Sequence, residues 1–326
     1  MRVVRDLSEL RQPVHKGAVT IGNFDGIHLA HRELLRRVVR SARELGGTSV
    51  VVTFDPHPAQ ILAPERAPKI LTPVGLKTRL IEQVGIDLLL ILPFNRELSL
   101  LSPEEFASSI LVQKLHAATI HVGSNFRFGH QRAGNTDLLS ELGRQGGFRV
   151  ETLPMIKIRG HRVSSSQVRH FLSAGQVEIA DRLLGRPYSV SGAIAAGEGV
   201  GHKQTVPTLN LVPVQQQLPK NGVYITRTRV QGTLHDSVTN VGHKPTFGHH
   251  QLTVESFLLG FRGEIKAEEM GIEFLHRLRD EIRFPNAEAL KRQIQRDVQN
   301  SLKFFRLMKR LRGKAGRRDR PTPTRK

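Results

Sequence analysis

The sequence predicts an α/β protein in which a doubly wound parallel sheet is followed by an antiparallel β-barrel and a C-terminal helix. Short aliphatic runs alternate with helical patterns through the first half of the chain, which is typical of a parallel sheet with crossover helices. Past Leu184, glycine and proline separate closely spaced strand-like runs that have no helices between them. Near the end of the chain, apolar residues recur at helical spacing.

The parallel-sheet domain is predicted from five aliphatic runs, at residues 18–21, 49–54, 87–92, 119–122 and 148–153. Thr72-Pro73 and Ser102-Pro103 each place a capping side chain before a proline at the predicted first position of a helix. Because ligands gather at the carboxyl ends of parallel strands, we expect functional loops at residues 22–31, 54–58 and 123–135.

The second domain is predicted from strand-like runs at residues 223–230, 237–241 and 252–261, which favour an antiparallel barrel or sandwich. Residues 286–311 predict one long helix, with apolar side chains at Leu290, Ile294, Val298, Leu302 and Phe305. We therefore expect domains at residues 1–184 and 185–312. Residues 313–326 are too charged and too poor in apolar groups to offset the entropy of ordering, which predicts a basic disordered tail.

The composition excludes several classes of protein. The 326 residues include no cysteine, which excludes disulfides, thiolate metal sites and thiol catalysis. No run is long and apolar enough to span a membrane, and the N-terminal segment lacks the apolar core of a secretory signal. We therefore expect a cytoplasmic protein without a membrane partner.

The formal net charge is +20, and residues 303–326 hold eleven basic residues and one acidic residue. Such a charge attracts anions, including nucleotides, phosphates, RNA and acidic lipid. One interpretation of the tail is non-specific contact with nucleic acid. We favour the other, a solvated tail that aids solubility, and the sequence leaves the oligomeric state open.

The segment VTIGNFDGIHLAH predicts an anion site because it runs from a strand through two glycines into a helix. Gly22 and Gly26 allow a tight turn and close approach of a ligand, while the amides and dipole of the helix start favour phosphate. His28 and His31 would share one helical face and could both reach a triphosphate, donating hydrogen bonds as pyrophosphate leaves. The alternatives are ordinary surface or capping histidines, and a zinc site with Asp25, although no HExxH pattern is present.

The same segment contains GNFDGIHLAH, which resembles the GNFDGxHxGH signature of bifunctional riboflavin kinase and FAD synthetase proteins, members of the HxGH nucleotidylyltransferases. Further matches follow in the family's order: VVTFDPHP at 51–58, SNFRFGHQRAGN at 124–135, VSSSQVR at 163–169 and LLGRPYSVSG at 183–192. The resemblance extends to about residue 300. It implies a Rossmann-like nucleotidylyltransferase domain followed by a riboflavin kinase barrel.

For the first domain, the resemblance implies that FMN receives an adenylyl group from ATP, giving FAD and pyrophosphate. His28 and His31 would hold the ATP phosphates. The residues that would shape the nucleotide loop are Gly22, Asn23, Phe24, Asp25 and Gly26. The residues that would bind phosphate from a second helix start are Ser164, Ser165 and Arg169. An ordinary N-cap with a solvent-facing arginine is the other interpretation of this last group.

The segment with Asn125 and Arg127 is assigned flavin-side contacts by the same resemblance. On an extended chain, Phe126 and Phe128 would share one face and Arg127 would take the other. Two core phenylalanines are the alternative interpretation.

In the second domain, Thr208 and Asn210 alternate on one face of an extended chain, so that a hydroxyl and an amide oxygen converge. Such hard oxygen ligands suit Mg²⁺ that is also bound by nucleotide phosphates. The segment VPTLNL resembles the PTxN motif of riboflavin kinase, which implies metal and ATP binding by these two residues, with Gly201 in the preceding loop. Glu255 is the candidate base for riboflavin's terminal hydroxyl, although a strand glutamate is more often solvated.

Some positions depart from the family pattern: Ala30 and Thr205 replace glycines, Asn125 replaces aspartate, Gln167 replaces arginine, and Gly260 lies where the family often has an acidic residue. The leading hypothesis is an enzyme that converts riboflavin to FMN and FMN to FAD, with ATP as co-substrate and Mg²⁺ as cofactor. The alternatives are a monofunctional FMN adenylyltransferase whose kinase-like domain only binds flavin, and a flavin- or RNA-binding protein that uses the basic tail.

Overall fold

The structure is a computed structural model that describes residues 1–195, 208–212, 216–246, 249–263, 265 and 267–318. The chain forms two compact units. The first contains residues 1–170 and 182–185, and the second contains residues 171–181 together with the chain from residue 186 onward. A domain boundary at residue 184 stays a prediction.

A parallel sheet forms the centre of the first unit. Its strands are β1 (Arg2–Val4), β2 (Gly17–Ile21), β3 (Ser49–Asp55), β4 (Leu88–Pro93), β5 (Ala117–Gly123) and β6 (Arg149–Leu153). They lie in the order β1-β4-β3-β2-β5-β6, and every neighbouring pair is parallel. All five predicted strands are present. The short strand β1 was not predicted, because three residues are too few to show a periodic pattern.

Helices connect these strands, and two more helices follow the last strand, β6. They are α1 (Leu29–Leu45), α2 (Pro58–Leu62), α3 (Val74–Glu82), α4 (Arg96–Leu100), α5 (Pro103–Phe106), which continues as a π-helix (Ala107–Lys114), α6 (Thr136–Gly146), α7 (Ser165–Ser173) and α8 (Val177–Leu184). A small hairpin, β7 (Lys157–Ile158) and β8 (His161–Arg162), precedes α7.

Helices cover both faces of the sheet, which confirms the doubly wound prediction. On one face, Leu35 of α1 and Ile81 of α3 pack in a core with Val51 of β3. On the other face, Leu111 of the π-helix and Leu139 of α6 pack in a second core. The strand order reverses beside β2, which lies between β3 and β5. The crevice at the carboxyl ends of β2 and β5 is therefore where this fold binds ligands.

The two predicted helix starts had different outcomes. The Ser102 hydroxyl accepts the backbone N–H of Glu105, and the Ser102 backbone N–H donates to the Glu105 carboxylate, which completes a capping box. Pro103 is at the first helical position, as predicted. At Thr72-Pro73 the prediction is wrong, because Pro73 itself is the N-cap. The Thr72 hydroxyl instead accepts the backbone N–H of Gly26 at 3.1 Å. The side chain that could have capped α3 therefore bonds to the loop between β2 and α1.

The second unit contains a closed antiparallel barrel rather than a sandwich. Its strands are β9 (Tyr188–Ala195), β10 (Thr208–Leu211), β11 (Gly222–Val230), β12 (Thr233–Thr246), β13 (His249–Leu258) and β14 (Glu269–Arg279), in the order β10-β13-β12-β11-β14-β9. Five buried hydroxyls inside the barrel bond to one another at 2.5–3.1 Å: Thr226, Thr228, Ser237, Thr239 and Ser256. These bonds satisfy polar groups that would otherwise be costly to bury.

Helix α9 (Ala287–Arg318) follows the barrel. The prediction of disorder from residue 313 is wrong as far as Arg318, because extending an existing helix is easy and the next helix-breaking residue is Pro321. Residues 319–326 of the predicted tail lie outside the described residues. Within the part of the chain that the structure describes, no helix is long and apolar enough to cross a membrane.

Candidate active sites

The loop between β2 and α1 is buried from Phe24 to His28 and has an unusual backbone. Phe24 and Ile27 have positive φ angles of 46° and 41°, and their side chains are only 2% and 1% exposed. A left-handed conformation is unfavourable for such residues by about 1–2 kcal/mol each, so packing must hold the loop in place. Gly26 has φ of 93°, and a Cβ there would lie 3.1 Å from Leu71 Cδ1. This position therefore requires glycine for both its conformation and its close approach.

The imidazole rings of His28 and His31 lie together at the start of α1. Their centroids are 3.6 Å apart with an interplanar angle of 17°, and the ring of Phe24 meets His31 edge-on at 5.1 Å. The prediction that both histidines lie on the helix is wrong for His28, which is the extended N-cap and whose Nδ1 accepts the His31 backbone N–H at 3.2 Å. The cap geometry nevertheless brings both rings to one place, as the phosphate hypothesis requires.

His31 is neutral near pH 7. Burial lowers the pKa of its imidazole well below the usual value, and the neighbouring His28 and Lys77 lower it further. Its Nδ1 is buried and bonds to none of the described residues. A neutral imidazole keeps one N–H donor and one acceptor.

Asp25 connects the loop to two other segments. Its carboxylate accepts the backbone N–H groups of Leu71 at 3.0 Å and Thr72 at 2.9 Å, and pairs with Arg169. Arg169 also donates to the Lys69 carbonyl at 2.8 Å and is only 16% exposed, which contradicts the solvent-facing alternative. With this carboxylate occupied, and with no cluster of three or more metal-binding side chains among the described residues, the zinc interpretation has no support.

The serines at the start of α7 take part in the same arrangement. Ser164 Oγ accepts the Gln167 N–H at 3.3 Å, which confirms the predicted cap. Ser165 Oγ donates to the Asp25 carbonyl at 2.7 Å. The structure thus brings Ser165 and Arg169 to the nucleotide loop, on Asp25.

The loop after β5 carries the predicted flavin-side residues. Asn125 and Arg127 are exposed. The rings of Phe126 and Phe128 stack at 5.5 Å with an interplanar angle of 14°, so they share one side as predicted. Phe128 is 7% exposed and packs in the core of the sheet, which favours the core interpretation for that ring.

In the barrel, Thr208 and Asn210 share one face of β10, while Leu209 and Leu211 are buried on the other. Asn210 lies directly opposite Glu255 of β13, and Glu255 lies opposite Asn240 of β12. Paired residues of neighbouring strands have their side chains on the same face. An amide, a carboxylate and a second amide therefore form a row across three strands.

This row lies on the outside of the barrel. Val254, Ser256 and Leu258 are buried and alternate with Glu255, so the barrel interior is on the opposite face of β13. The Glu255 side chain is therefore on the outer face of the barrel wall. Gly201 and Thr205, which we placed beside this site, lie outside the described residues.

Comparison with known proteins identifies both halves. One family model, for FAD synthetase, matches residues 11–167, and another, for riboflavin kinase, matches residues 184–305. A bifunctional riboflavin kinase/FMN adenylyltransferase from Pseudomonas fluorescens is 39% identical over 300 residues, 91% of this chain and 96% of that protein. The chain belongs to the bifunctional riboflavin kinase/FMN adenylyltransferase family.

The likeness extends over nearly the whole chain. A protein of the same description from Escherichia coli K12 is 33% identical over 312 residues, 95% of this chain and 99% of that protein. A crystal structure described as a macrolide-efflux protein from Streptococcus pneumoniae is similar with a TM-score of 0.82 and 25% identity, covering 92% of this chain and 98% of that one. The resemblance read from the motifs is confirmed: an FAD synthetase domain comes first and a riboflavin kinase domain second, and both are transferase domains.

In the FAD synthetase domain, three residues that we did not predict as site residues contact Asn23. The Asn23 carbonyl accepts Lys77 Nζ at 2.8 Å and the Thr53 hydroxyl at 3.3 Å, and its side-chain amide lies 3.2 Å from His57 Nε2. Burial lowers the pKa of both His57 and Lys77, and the charge of Asp25 opposes the shift in each case. His57 falls in the predicted loop 54–58, whereas a lysine in an amphipathic helix gives no signal in the sequence.

In the riboflavin kinase domain, the unpredicted neighbours of the site are Asn240 and Glu281. The Glu281 carboxylate occupies the space that a side chain at Gly242 would fill, and the Asn240 amide nitrogen lies 3.2 Å from the same point. Both residues fall in segments that match the family, but only strand register shows that Asn240 adjoins Glu255. Gly260 takes a φ of 70° in open space, so the backbone rather than packing requires glycine there.

Proposed function

We propose that the chain phosphorylates riboflavin to FMN in its riboflavin kinase domain and adenylylates FMN to FAD in its FAD synthetase domain, with ATP and Mg²⁺ in both steps and in the cytoplasm. The observation that carries the proposal is the stacked pair of His28 and His31 where a strained, buried loop meets the start of α1. Buried imidazoles at a helix N-terminus suit a polyphosphate.

In adenylyl transfer, an FMN phosphate oxygen attacks the α-phosphorus of ATP, and the bond to the bridging oxygen breaks to release pyrophosphate. Negative charge then develops on the pyrophosphate, where His28, His31 and the amides of the helix start donate hydrogen bonds. Ser164, Ser165 and Arg169 provide a second group of donors. Asp25 orients that group, since it pairs with Arg169 and its carbonyl accepts Ser165.

The flavin side of this reaction lies at the carboxyl end of β5. Asn125 and Arg127 are exposed there, in the loop beside the β2–β5 crevice. An exposed guanidinium suits the FMN phosphate, because arginine binds phosphate through two parallel hydrogen bonds. Phe126 offers an aromatic face to a flavin ring.

In the kinase step, the oxygen of riboflavin's terminal hydroxyl attacks the γ-phosphorus of ATP, and Glu255 accepts the proton of that hydroxyl. The bond from the γ-phosphorus to the β–γ bridging oxygen breaks, and ADP leaves. Thr208 and Asn210 fit Mg²⁺, because they present a hydroxyl and an amide oxygen on one face beside the Glu255 carboxylate. When bound there, the metal neutralises charge on the ATP phosphates. Gly201 contacts the nucleotide in this proposal.

A product assay with the purified full chain tests the proposal. Riboflavin, ATP and MgCl₂ should give FMN and then FAD, separated by chromatography, and FMN with ATP should give FAD and pyrophosphate. Chelation of the metal should stop both steps, and added Mg²⁺ should restore them. FAD from FMN with no FMN from riboflavin would contradict the kinase half and leave a monofunctional adenylyltransferase.

A further inference from the structure

Lys77 is the buried lysine of the FAD synthetase domain that the mechanism above does not use. It lies on α3, and it is 7% exposed, whereas Arg79 on the same helix is exposed. Its ammonium donates to the Asn23 carbonyl at 2.8 Å and lies 3.5 Å from the Thr53 hydroxyl. Among the described residues, no carboxylate oxygen comes within the 4.0 Å of an ion pair with it.

A buried ammonium without an adjacent carboxylate is unfavourable for the stability of the fold. Methionine or leucine would fill the same volume without that penalty. The ammonium therefore points to a requirement for charge or hydrogen bonding at this place. Its bonded partner is Asn23, at the opposite end of the nucleotide loop from the His28–His31 pair.

We propose that Lys77 is a positioning residue for adenylyl transfer, which holds the Asn23 end of the nucleotide loop in place and supplies a fixed positive charge that favours the ATP triphosphate. This role rests on the proposed function of the first domain. The loop needs such an anchor, because Phe24 and Ile27 hold strained conformations between Asn23 and the histidines.

Substitutions at Lys77 distinguish a role of its charge from a role of its packing. Lys77→Met keeps the length of the side chain but removes its charge and donors, and Lys77→Arg keeps both. Arg79→Met is the matched control, since it removes an exposed cation from the same helix. For Lys77→Met we expect the KM for ATP to rise about tenfold to a hundredfold, the loss typical of one charge-assisted hydrogen bond. The KM for FMN should stay within about twofold, and Lys77→Arg should recover most of the ATP affinity.

The pH profile gives a readout that a purely structural role would not change. The charged groups around Lys77 are Asp25 and Asp55, which favour its protonated form, and the other titratable groups are His31 and His57, whose pKa values it lowers. Burial outweighs the two carboxylates and lowers the pKa of Lys77. The kcat/KM for ATP in the wild-type protein should therefore fall at alkaline pH as Lys77 loses its proton. In Lys77→Arg this fall should move to higher pH, because arginine keeps its charge.

The full chain is used throughout, so that riboflavin kinase activity reports correct folding of the rest of the protein. If the wild type makes no FAD, the proposed function fails, and the role of Lys77 in adenylyl transfer fails with it. If the wild type makes FAD and Lys77→Met matches it in KM for ATP within about twofold, the role of Lys77 is wrong. An equal rise in the KM for ATP in Lys77→Met and Lys77→Arg would also overturn the role of charge. If Lys77→Met does not fold, the pH profile of kcat/KM for ATP in Lys77→Arg decides. An alkaline fall at the same pH as in the wild type overturns the proposal, and a fall at higher pH supports it.

Discussion

The rings of His28 and His31 stack with centroids 3.6 Å apart, although only His31 lies within the helix. Two imidazolium ions at this separation would repel each other. The proximity of His28 contributes to the lowered pKa of His31. Burial and this proximity therefore both favour the neutral form of the His31 imidazole.

Removal of the His28 ring should abolish FAD formation without affecting FMN formation. We expect His28→Ala to slow FAD formation about a hundredfold or more, because a donor to the developing charge is lost. FMN formation from riboflavin should be unchanged. Both products are measured in one chromatographic assay with the purified chain.

His28 also caps α1, and this second role needs a control. His28→Ala removes the cap and should lower stability by about 1 kcal/mol, whereas asparagine is a good N-cap without an imidazole. We therefore expect His28→Asn to melt close to the wild type and still to lose FAD formation. Normal FAD formation by a stable His28→Asn protein would show that the ring has no role in the reaction.

Glu255 should show the reverse dependence. Glu255→Gln keeps the shape of the side chain but removes the base, so the rate of FMN formation should fall about 10²- to 10⁴-fold while FAD formation from FMN continues. Glu269→Gln is the matched control, because Glu269 is exposed on β14 of the same barrel. Rates are compared at saturating riboflavin and ATP. A kinase rate in Glu255→Gln within about twofold of the control would remove Glu255 from the reaction.

Local sequence signals predicted those parts of the sites that depend on neighbours along the chain. Ser102 and Ser164 are caps, as expected, because a cap is completed within three or four residues. Thr72 was predicted wrongly, since its hydroxyl bonds to Gly26, which is distant in sequence.

Side chains that reach the sites through tertiary contacts were the ones missed. Lys77 lies on an amphipathic helix and contacts Asn23 across 54 residues, and Asn240 adjoins Glu255 only through the register of β12 and β13. Neither contact leaves a spacing pattern. The helical residues beyond position 312 were missed for a different reason, since composition does not report the ease of extending a helix that has already formed.

The stability of the second unit should fall as pH rises, through Asp181. Burial raises the pKa of this carboxyl to about 8, although it accepts the Tyr188 N–H at 2.7 Å. In the unfolded chain its pKa returns to about 4. The folded state thus binds more protons between about pH 4 and 8, and the stabilisation is full below this window and lost as pH rises through it. We expect Asp181→Asn, which stays neutral, to melt near the wild type at pH 5 and above it at pH 8.5.

The pKa of Asp280 is shifted in the opposite direction to that of Asp181. Its hydrogen bonds with Arg277 and Lys220 lower the pKa of its carboxyl to about 2. Its contribution is therefore present above about pH 4 and is lost as pH falls through 2. The melting temperature of Asp280→Asn should be below that of the wild type, and the difference should be the same at pH 5 and at pH 8.5. If the difference in melting temperature between Asp181→Asn and the wild type is also the same at both pH values, Asp181 is not protonated in the folded protein.

The ion pair between Arg279 of β14 and Asp297 of α9 should determine whether the long helix stays on the barrel. Asp297 is 4% exposed, and its carboxylate receives Arg279 at 2.8 Å and Gln293 at 2.9 Å. Asp297→Ala leaves a guanidinium without its partner, so the unfolding free energy of this unit should fall by about 3–5 kcal/mol. Glu288→Ala, which breaks the exposed pair with Arg292 at 3.7 Å, should change it by less than about 1 kcal/mol. The thermal loss of riboflavin kinase activity measures both effects. Replacing both partners, as Arg279→Met with Asp297→Leu, should recover much of the loss, since the penalty arises from the charge left behind rather than from the missing bond.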